Sequence, residues 1–287
     1  MKANNGIFCI LFLLSHALLA CGSDEGESDK ESTGELKVSC NTSLDVISTV
    51  GLYMVYDSQL LNSGNHLDNV ALRKTDNHWT SSQPVSWADA SHSATFYAYS
   101  PYLNAITDVG ALPFATDTDQ STADRQQASN FLWGKVSAHP PMSEVDIPLR
   151  RLFSTIAVVV EAGENVSSEE LRSNPPQVCI NDVQVKATIN LSNGTVTPTG
   201  NTSAIIPLLT DAKELTFTAI VIPQHIASNT FVSISWDGQT TALPLTAELQ
   251  ASQTRTVTAR LSRQQGSLNI GISQWETTDK DFGGTVN

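Results

Sequence analysis

The feature that most constrains this sequence is a period of two between apolar and polar residues along most of its length. Leu36, Val38 and Cys40 alternate with polar neighbours, as in a strand that buries one face. Turn residues separate such runs, and Asp237-Gly238 between two β-rich runs predicts a two-residue hairpin turn. Many short strands at this spacing predict an all-β chain of β-sandwiches rather than a parallel sheet.

Ten further segments carry a strand signal, and one carries a helix signal. The strongest strand pattern is "FSTIAVVVEAG" at 153–163. A helix is predicted at 121–133, with Ser121 or Thr122 as its N-cap. The predicted strands after the first are 50–57, 94–102, 145–149, 153–163, 177–191, 214–224, 230–238, 240–245, 253–262 and 267–275.

The composition changes near residues 140–150, where the segment "HPPMSEVDIP" is rich in proline and polar residues. Such segments are typical of domain boundaries, and a chain of 287 residues is long enough for two domains. We therefore predict an N-terminal β-sandwich domain at 36–146 and a C-terminal β-sandwich domain at 147–287.

Residues 1–20 have the form of a signal peptide that is removed from the mature protein. Lys2 supplies the positive start, and "IFCILFLL" supplies an apolar run too short to span a bilayer as a helix. The ending Leu-Leu-Ala before Cys21 resembles a bacterial lipobox, which implies lipid attachment at Cys21 and stable membrane anchoring. The alternative is an ordinary secretory signal followed by a chance cysteine.

Residues 21–35 read as a flexible acidic tether, because after Cys21 they contain no large apolar residue. The whole chain has a net charge of −13, and loss of Lys2 with the signal makes it one unit more negative. This charge repels nucleic acid and anionic lipid. Cys40 and Cys179 remain after the signal and Cys21 are set aside, and the sequence leaves open whether they pair.

The sequence carries no motif for catalysis, a cofactor or a metal. Its histidines do not have metal-ligand spacing, and it contains no nucleophile elbow, P-loop or dinucleotide fingerprint. The acidic segment 116–124 lacks the glycine and glutamate of an EF-hand, so we interpret it as a surface loop. The chain is therefore predicted to be non-enzymatic, with no cofactor and no metal.

The five tryptophans allow two interpretations. Exposed on one face, they would form a stacking platform for sugars, which is the basis of an alternative function as a surface glycan-binding lipoprotein of a polysaccharide-uptake system. Tryptophans in a β-sandwich otherwise serve as core or edge packing.

The order of the strand-rich segments resembles the fimbrillin family of Bacteroidales, the FimA- and Mfa-like subunits of type V pili. The resemblance runs from about residue 46 to 287, behind the lipobox. It rests on "VGLYMV" (50–55), "PVSWADASHSATFYAYSPY" (84–102), "DQSTADRQQASNFLWGKV" (119–136), "VDIPLRRLFSTIAVVV" (145–160), "TFTAIVIPQ" (216–224), "TVTARL" (256–261) and "IGISQWETTDKDFGGTVN" (270–287).

The resemblance implies two transthyretin-like sandwich domains, export as a surface lipoprotein of the outer membrane, and assembly with other fimbrial subunits by strand exchange. In such assembly, a protease removes the first strand and a neighbouring subunit supplies a replacement, which is β-augmentation. Here the first strand is the segment of Leu36, Val38 and Cys40. The resemblance also implies adhesion to host or bacterial surface ligands.

Two departures from the family pattern favour an anchor or tip subunit, or a self-complemented surface lipoprotein, over a stalk subunit. No Arg or Lys lies between residues 38 and 72, so an arginine-type protease has no target after the first strand. The ending "DFGGTVN" offers only Phe282 and Val286 as alternating apolar residues, which is weak for a donor strand.

Intact-mass and N-terminal analysis of protein extracted from the cell surface tests the anchor. We expect a lipidated amino terminus at Cys21, with the first strand retained. A start within residues 41–75 without lipid would instead show that proteolysis activates a polymerising subunit.

Overall fold

The computed structural model describes residues 35–42, 47–57, 59–61, 65–264, 267–272 and 275–278. Strands dominate this part of the chain, which confirms the all-β class. In it, no helix has the length and apolar character needed to cross a membrane. The predicted signal peptide and Cys21 lie outside the described residues, so the lipid attachment stays a prediction.

The described elements fall into two groups along the chain. The first group is β1 (Lys37–Asn41), β2 (Thr49–Tyr56), β3 (Asn65–Thr75), β4 (His78–Ser81), β5 (Ala94–Ser100), β6 (Leu112–Ala115), α1 (Ala123–Ala128), β7 (Leu132–Ala138), β8 (Glu144–Pro148) and β9 (Arg150–Arg151). The second group is β10 (Ser154–Ala162), α2 (Ser168–Ser173), β11 (Gln177–Asn190), β12 (Thr195–Ile205), β13 (Leu208–Asp211), β14 (Thr216–Val221), β15 (His225–Trp236), β16 (Gln239–Glu248), β17 (Thr254–Gln264), β18 (Ser267–Ile272) and β19 (Glu276–Thr278).

Apart from α1 and β6, the first group forms two facing sheets. A six-stranded antiparallel sheet has the order β4-β3-β2-β5-β7-β9, and a two-stranded parallel sheet pairs β1 with β8. Val38 and Val145 from the small sheet meet Leu52, Met54 and Phe96 from the large one in a single buried cluster. Two sheets that share an apolar core in this way form a β-sandwich.

The second group forms another sandwich. One sheet has the order β13-β14-β10-β17-β18 with β19 also paired to β17, and the facing sheet has the order β12-β11-β15-β16 with β6 paired to β11. Ile156 and Val257 of the first sheet pack with Ile180, Val232 and Ile234 of the second. In β11 the buried residues alternate with more exposed ones, so that strand has one buried face, whereas the first five residues of β10 are all buried.

A third buried cluster, rich in aromatic side chains, connects the two groups of sheets. The Tyr99 ring stacks on Phe131, with centroids 5.9 Å apart, and Phe114 meets Phe131 edge-on at 5.0 Å. The cluster also contains Ile189 of β11 and Ile220 of β14. The predicted domain boundary falls within β8, and the division into two domains stays a prediction.

The Asp237-Gly238 hairpin is confirmed. β15 and β16 pair antiparallel, with Trp236 opposite Gln239 at the end of the ladder. Asp237 and Gly238 have φ values of 51° and 73°. Positive φ at both central residues is characteristic of a type I′ turn, whose twist matches that of the flanking strands.

The helix predicted at 121–133 is wrong in its extent. α1 ends at Ala128, although Thr122 is its N-cap and accepts a hydrogen bond from the Arg125 amide at 3.4 Å. Phe131, Leu132 and Trp133 are all buried, and the latter two begin β7. Burial of three consecutive bulky side chains overrides the local helix preference, because a surface helix would leave some of them exposed.

Gln120 acts as a substitute for a strand beside β14. Its side chain is fully buried, and its amide donates to the Ile220 carbonyl oxygen at 2.8 Å and accepts from the Ile220 N–H at 2.8 Å. The β13–β14 ladder stops at Thr218, so Gln120 satisfies the backbone groups that lie just beyond it. A buried peptide group left without a partner costs about 1–3 kcal/mol.

We predict that Gln120→Ala lowers the free energy of unfolding by about 1–3 kcal/mol, as measured by urea denaturation. The matched control is Gln83→Ala in an exposed turn, which we expect to change stability by less than about 0.5 kcal/mol. Equal stability of the two variants would show that the Ile220 peptide does not depend on Gln120.

Candidate functional site at the first strand

β1 buries one side of a five-residue strand. Leu36, just before it, is 3% exposed, and Val38 and Cys40 are 6% and 7% exposed. Lys37 and Asn41 are exposed on the opposite side. The structure therefore brings the three residues singled out by the sequence into the apolar cluster of the N-terminal sheets.

β1 pairs in parallel with β8, which lies 107 residues further along the chain. Val38 stands opposite Val145, and Cys40 stands opposite Ile147. At the two ends, the Lys37 N–H donates to the Ser143 carbonyl at 2.9 Å and the Leu149 N–H donates to the Asn41 carbonyl at 2.7 Å. Because the backbone makes these hydrogen bonds, the pairing itself does not require a particular side chain.

The other edge of β1 meets the loop that follows β4 only at its start. The Leu36 N–H donates to the Val85 carbonyl at 2.8 Å, and Glu35 forms an antiparallel bridge with Ser86. The buried Trp87 indole donates to the Met142 carbonyl at 2.8 Å, which fixes this loop near β8. The loop thus covers the entry to the slot between β8 and residues 85–86.

The exposed side of the β1–β8 pair carries complementary polar groups. The Lys37 ammonium lies 3.5 Å from the Glu144 carboxylate, with both side chains more than two-thirds exposed. The Ser39 hydroxyl donates to the Asp146 carboxylate at 2.9 Å. Solvent screens the ion pair, so its contribution to stability is at most about 1 kcal/mol.

The Cys40 thiol is a neutral, buried group. Burial, and to a smaller degree the Asp146 carboxylate, raise the pKa of Cys40 to about 12. Cys179 lies in β11, partly buried, and burial also raises its pKa. Both are free thiols, which answers the question of a Cys40–Cys179 disulfide that the sequence left open.

An open cleft with a volume of about 310 Å³ adjoins the C-terminal half of β1. Ser39 and Asn41 of β1 line one side, and Lys74, Trp79 and Asp146 line the remainder. Since β1 supplies part of the wall, the cleft exists in this form only while β1 is in place.

The acidic segment 116–124 satisfies its charge with internal contacts. Asp119 accepts a hydrogen bond from the Ser121 hydroxyl at 2.6 Å and pairs with Arg125. The Ser121 hydrogen bonds, together with Arg125, lower the pKa of Asp119. Within the described ranges, no group of three or more His, Cys, Asp and Glu side chains is placed to hold a metal ion.

The tryptophans serve as packing rather than as a platform. Trp87, Trp133 and Trp236 are buried, and each indole donates to a backbone carbonyl at 2.7–2.9 Å. Trp79 and Trp275 are partly buried against the two sandwich cores. A sugar-stacking surface needs at least two aromatic faces exposed side by side, and these five side chains do not provide it.

Sequence reasoning missed the partners of β1. The acidic residues Glu144 and Asp146 belong to a predicted strand, but their position beside β1 depends on a long-range register. The loop at Val85 and Ser86 carries no local signal for pairing with Glu35. The alternation of apolar and polar residues in each segment predicts which face of a strand is buried, but it does not predict which strand lies beside it.

The fold and site define a class: a β-sandwich protein whose first strand completes a two-stranded parallel sheet. A family model described as fimbrillin-like matches residues 38–275. The chain therefore belongs to the fimbrillin-like family, as the sequence resemblance indicated.

Solved structures share this fold. A candidate cell adhesion protein from Bacteroides uniformis aligns with a TM-score of 0.65 and 17% identity over 86% of this chain and 98% of that one. A second candidate cell adhesion protein, from Bacteroides ovatus, aligns with a TM-score of 0.64 and 15% identity over 85% of this chain and 97% of that one. A fimbrial protein from Bacteroides ovatus aligns with a TM-score of 0.51 and 13% identity over 78% of this chain and 48% of that one. Among curated proteins, no sequence matches this chain.

We predict that Cys40 resists alkylation at pH 8 in the folded protein while Cys179 reacts faster. Only the thiolate reacts, and a thiol with a pKa of about 12 is roughly 10⁻⁴ ionised at that pH. Mass spectrometry after a short alkylation pulse, on a chain that begins after Cys21, measures the modified fraction of each cysteine.

The same pKa shift fixes a pH dependence of stability. In the folded protein the pKa of Cys40 lies above its ordinary value of 9.0. The contribution of the neutral thiol to the free energy of unfolding is therefore complete below pH 9 and is lost as the pH rises towards 12. Cys40→Ala removes this dependence.

Rapid labelling of Cys40 under native conditions would contradict the buried position of β1.

Proposed function

We propose that this chain is a structural or adhesive subunit of a cell-surface fimbria of type V, anchored in the outer membrane through lipid on Cys21. Its partners are other fimbrial subunits, with host or bacterial surface molecules as ligands, and nucleic acid is not among them. The role is mechanical and adhesive rather than enzymatic. Membership of the fimbrillin-like family supports this proposal.

One observation carries the proposal: a short first strand, paired along one edge of β8, fills a slot lined by apolar side chains. Removal of β1 would expose one backbone edge of β8 and the inward side chains Val145 and Ile147, which it now covers. An unpaired edge beside an apolar surface is the arrangement that accepts an added strand. The proteins that share this fold include a fimbrial protein and candidate cell adhesion proteins, which agrees with such a role.

Within a fimbria, we propose an anchor or tip position for this subunit. Lys37 lies inside β1, and Arg73 lies in β3, so neither is a cleavage point in a linker directly after the first strand. While β1 stays in place, the subunit is self-complemented and ends a polymer. Only displacement of β1 would open the slot beside β8 to a strand of another subunit.

Strand exchange can be tested on a nicked chain. A recognition site for a sequence-specific protease is placed between Thr42 and Ile47, the purified mature protein is cut, and the released fragment is displaced in mild urea. On dilution, we expect a fluorescent peptide of residues 35–42 to bind the nicked protein, as measured by fluorescence anisotropy, because it restores the backbone pairing and apolar contacts of β1.

Two controls sharpen the experiment. The uncut chain should bind no peptide, because its own strand occupies the slot. A peptide with Leu36→Asp and Val38→Asp should not bind the nicked chain, because it would bury two carboxylates. Failure of the unmodified peptide to bind a nicked chain that remains folded would overturn strand exchange as the mode of assembly.

A further inference from the structure

The surface that β8 presents to its partner strand is acidic on the solvent side. Glu144 and Asp146 project from β8 towards Lys37 and Ser39 of β1, at 3.5 Å and 2.9 Å. Both contacts lie at register positions of the parallel ladder, so a strand that pairs with β8 in the same direction and register places its outward side chains opposite the same two carboxylates. Backbone pairing with β8 therefore also brings the outward side chains of the paired strand close to these two carboxylates, whose charge favours cations and disfavours anions there.

The inward side of the slot imposes a second condition. Positions 36 and 38 hold aliphatic side chains that are almost fully buried, and position 40 holds the smaller Cys40 opposite Ile147. Burial raises the pKa of the Cys40 thiol to about 12, so this position favours an uncharged residue. The pattern required is two aliphatic residues and one small neutral residue, each separated by an outward residue.

We propose that β8 selects its partner strand by charge. Resting on the strand exchange proposed above, the inferred partner is an extended segment from another subunit, running parallel to β8. It carries a cation opposite Glu144 and a hydroxyl or other donor opposite Asp146, between inward aliphatic and small residues. A strand with acidic outward residues is rejected.

This selection operates in a strongly acidic protein. The chain contains 29 Asp and Glu against 16 Lys and Arg, so an arbitrary extended segment of a similar subunit more often offers a carboxylate than a cation. Like charges opposite each other in a sheet are destabilising, whereas opposite charges are modestly stabilising. Glu144 and Asp146 thus discriminate mainly by repelling strands that carry acidic outward residues, and repulsion of this kind is a common source of specificity.

The nicked protein measures this preference directly. The peptide of residues 35–42 is compared with a version carrying Lys37→Glu and Ser39→Asp, which keeps all three inward residues. We expect about ten-fold weaker binding of the acidic peptide at low salt, from two exposed like-charge contacts. The difference should shrink in 1 M salt, where the screening length falls to about 3 Å.

A charge swap identifies the responsible residue. In the nicked protein carrying Glu144→Lys, the acidic peptide should recover most of its affinity, while the unmodified peptide should bind more weakly. The matched control is Glu169→Lys, an exposed position on α2, which changes the net charge equally and should leave the order of the peptides unchanged.

The outcomes separate this inference from the proposed function. Equal affinity of both peptides, or an equal effect of Glu144→Lys and Glu169→Lys, would overturn charge selection while strand exchange stands. Binding of neither peptide to the folded nicked protein would overturn strand exchange, and the selection inferred here would fall with it.

Discussion

The parallel pairing of β1 with β8 is the interaction on which the N-terminal sandwich depends. These two strands alone form the sheet that covers one side of its core in the described residues. Each fully buried aliphatic side chain contributes about 1.5–3 kcal/mol, so Leu36 and Val38 represent a large part of the stability of a typical domain. Those contacts are made by alternating aliphatic side chains and backbone groups, which are the contacts that β-augmentation uses.

Local patterns were enough to predict several elements that have a buried face, although they missed β3 and β7. β11 and the β15–β16 hairpin follow directly from alternation and turn chemistry, and β10 follows from its continuous run of β-branched residues. β12 was missed because its exposed, threonine-rich sequence contains Pro198 and Gly200, which read as a turn. α2 had an available signal, since Ser167 and Glu170 form a capping box that its short length obscured.

The site was predictable only in part. Alternation alone gave Leu36, Val38 and Cys40 as inward residues, because the side-chain period of a strand is a local property. The partner strand, its parallel direction and its register were not accessible, because many segments of this chain share the same alternation. The acidic contacts of Lys37 and Ser39 follow from that register and were therefore hidden as well. The family resemblance supplied a role for the strand, but not its neighbours.

Five other outer strands are less suited to the exchange proposed for β1. β4, β9 and β13 are outer strands of two to four residues, too short to hold an added strand firmly. The longer outer strands β12 and β16 contain Pro198 and Pro244, and proline interrupts the row of backbone donors that an incoming strand needs. β1 lacks proline, occupies an apolar slot and is covered at its start by a single loop. Displacement of β1 would break its ladder with β8 and its hydrogen bond to the loop at Val85, and an incoming strand of the same apolar pattern would have to restore both.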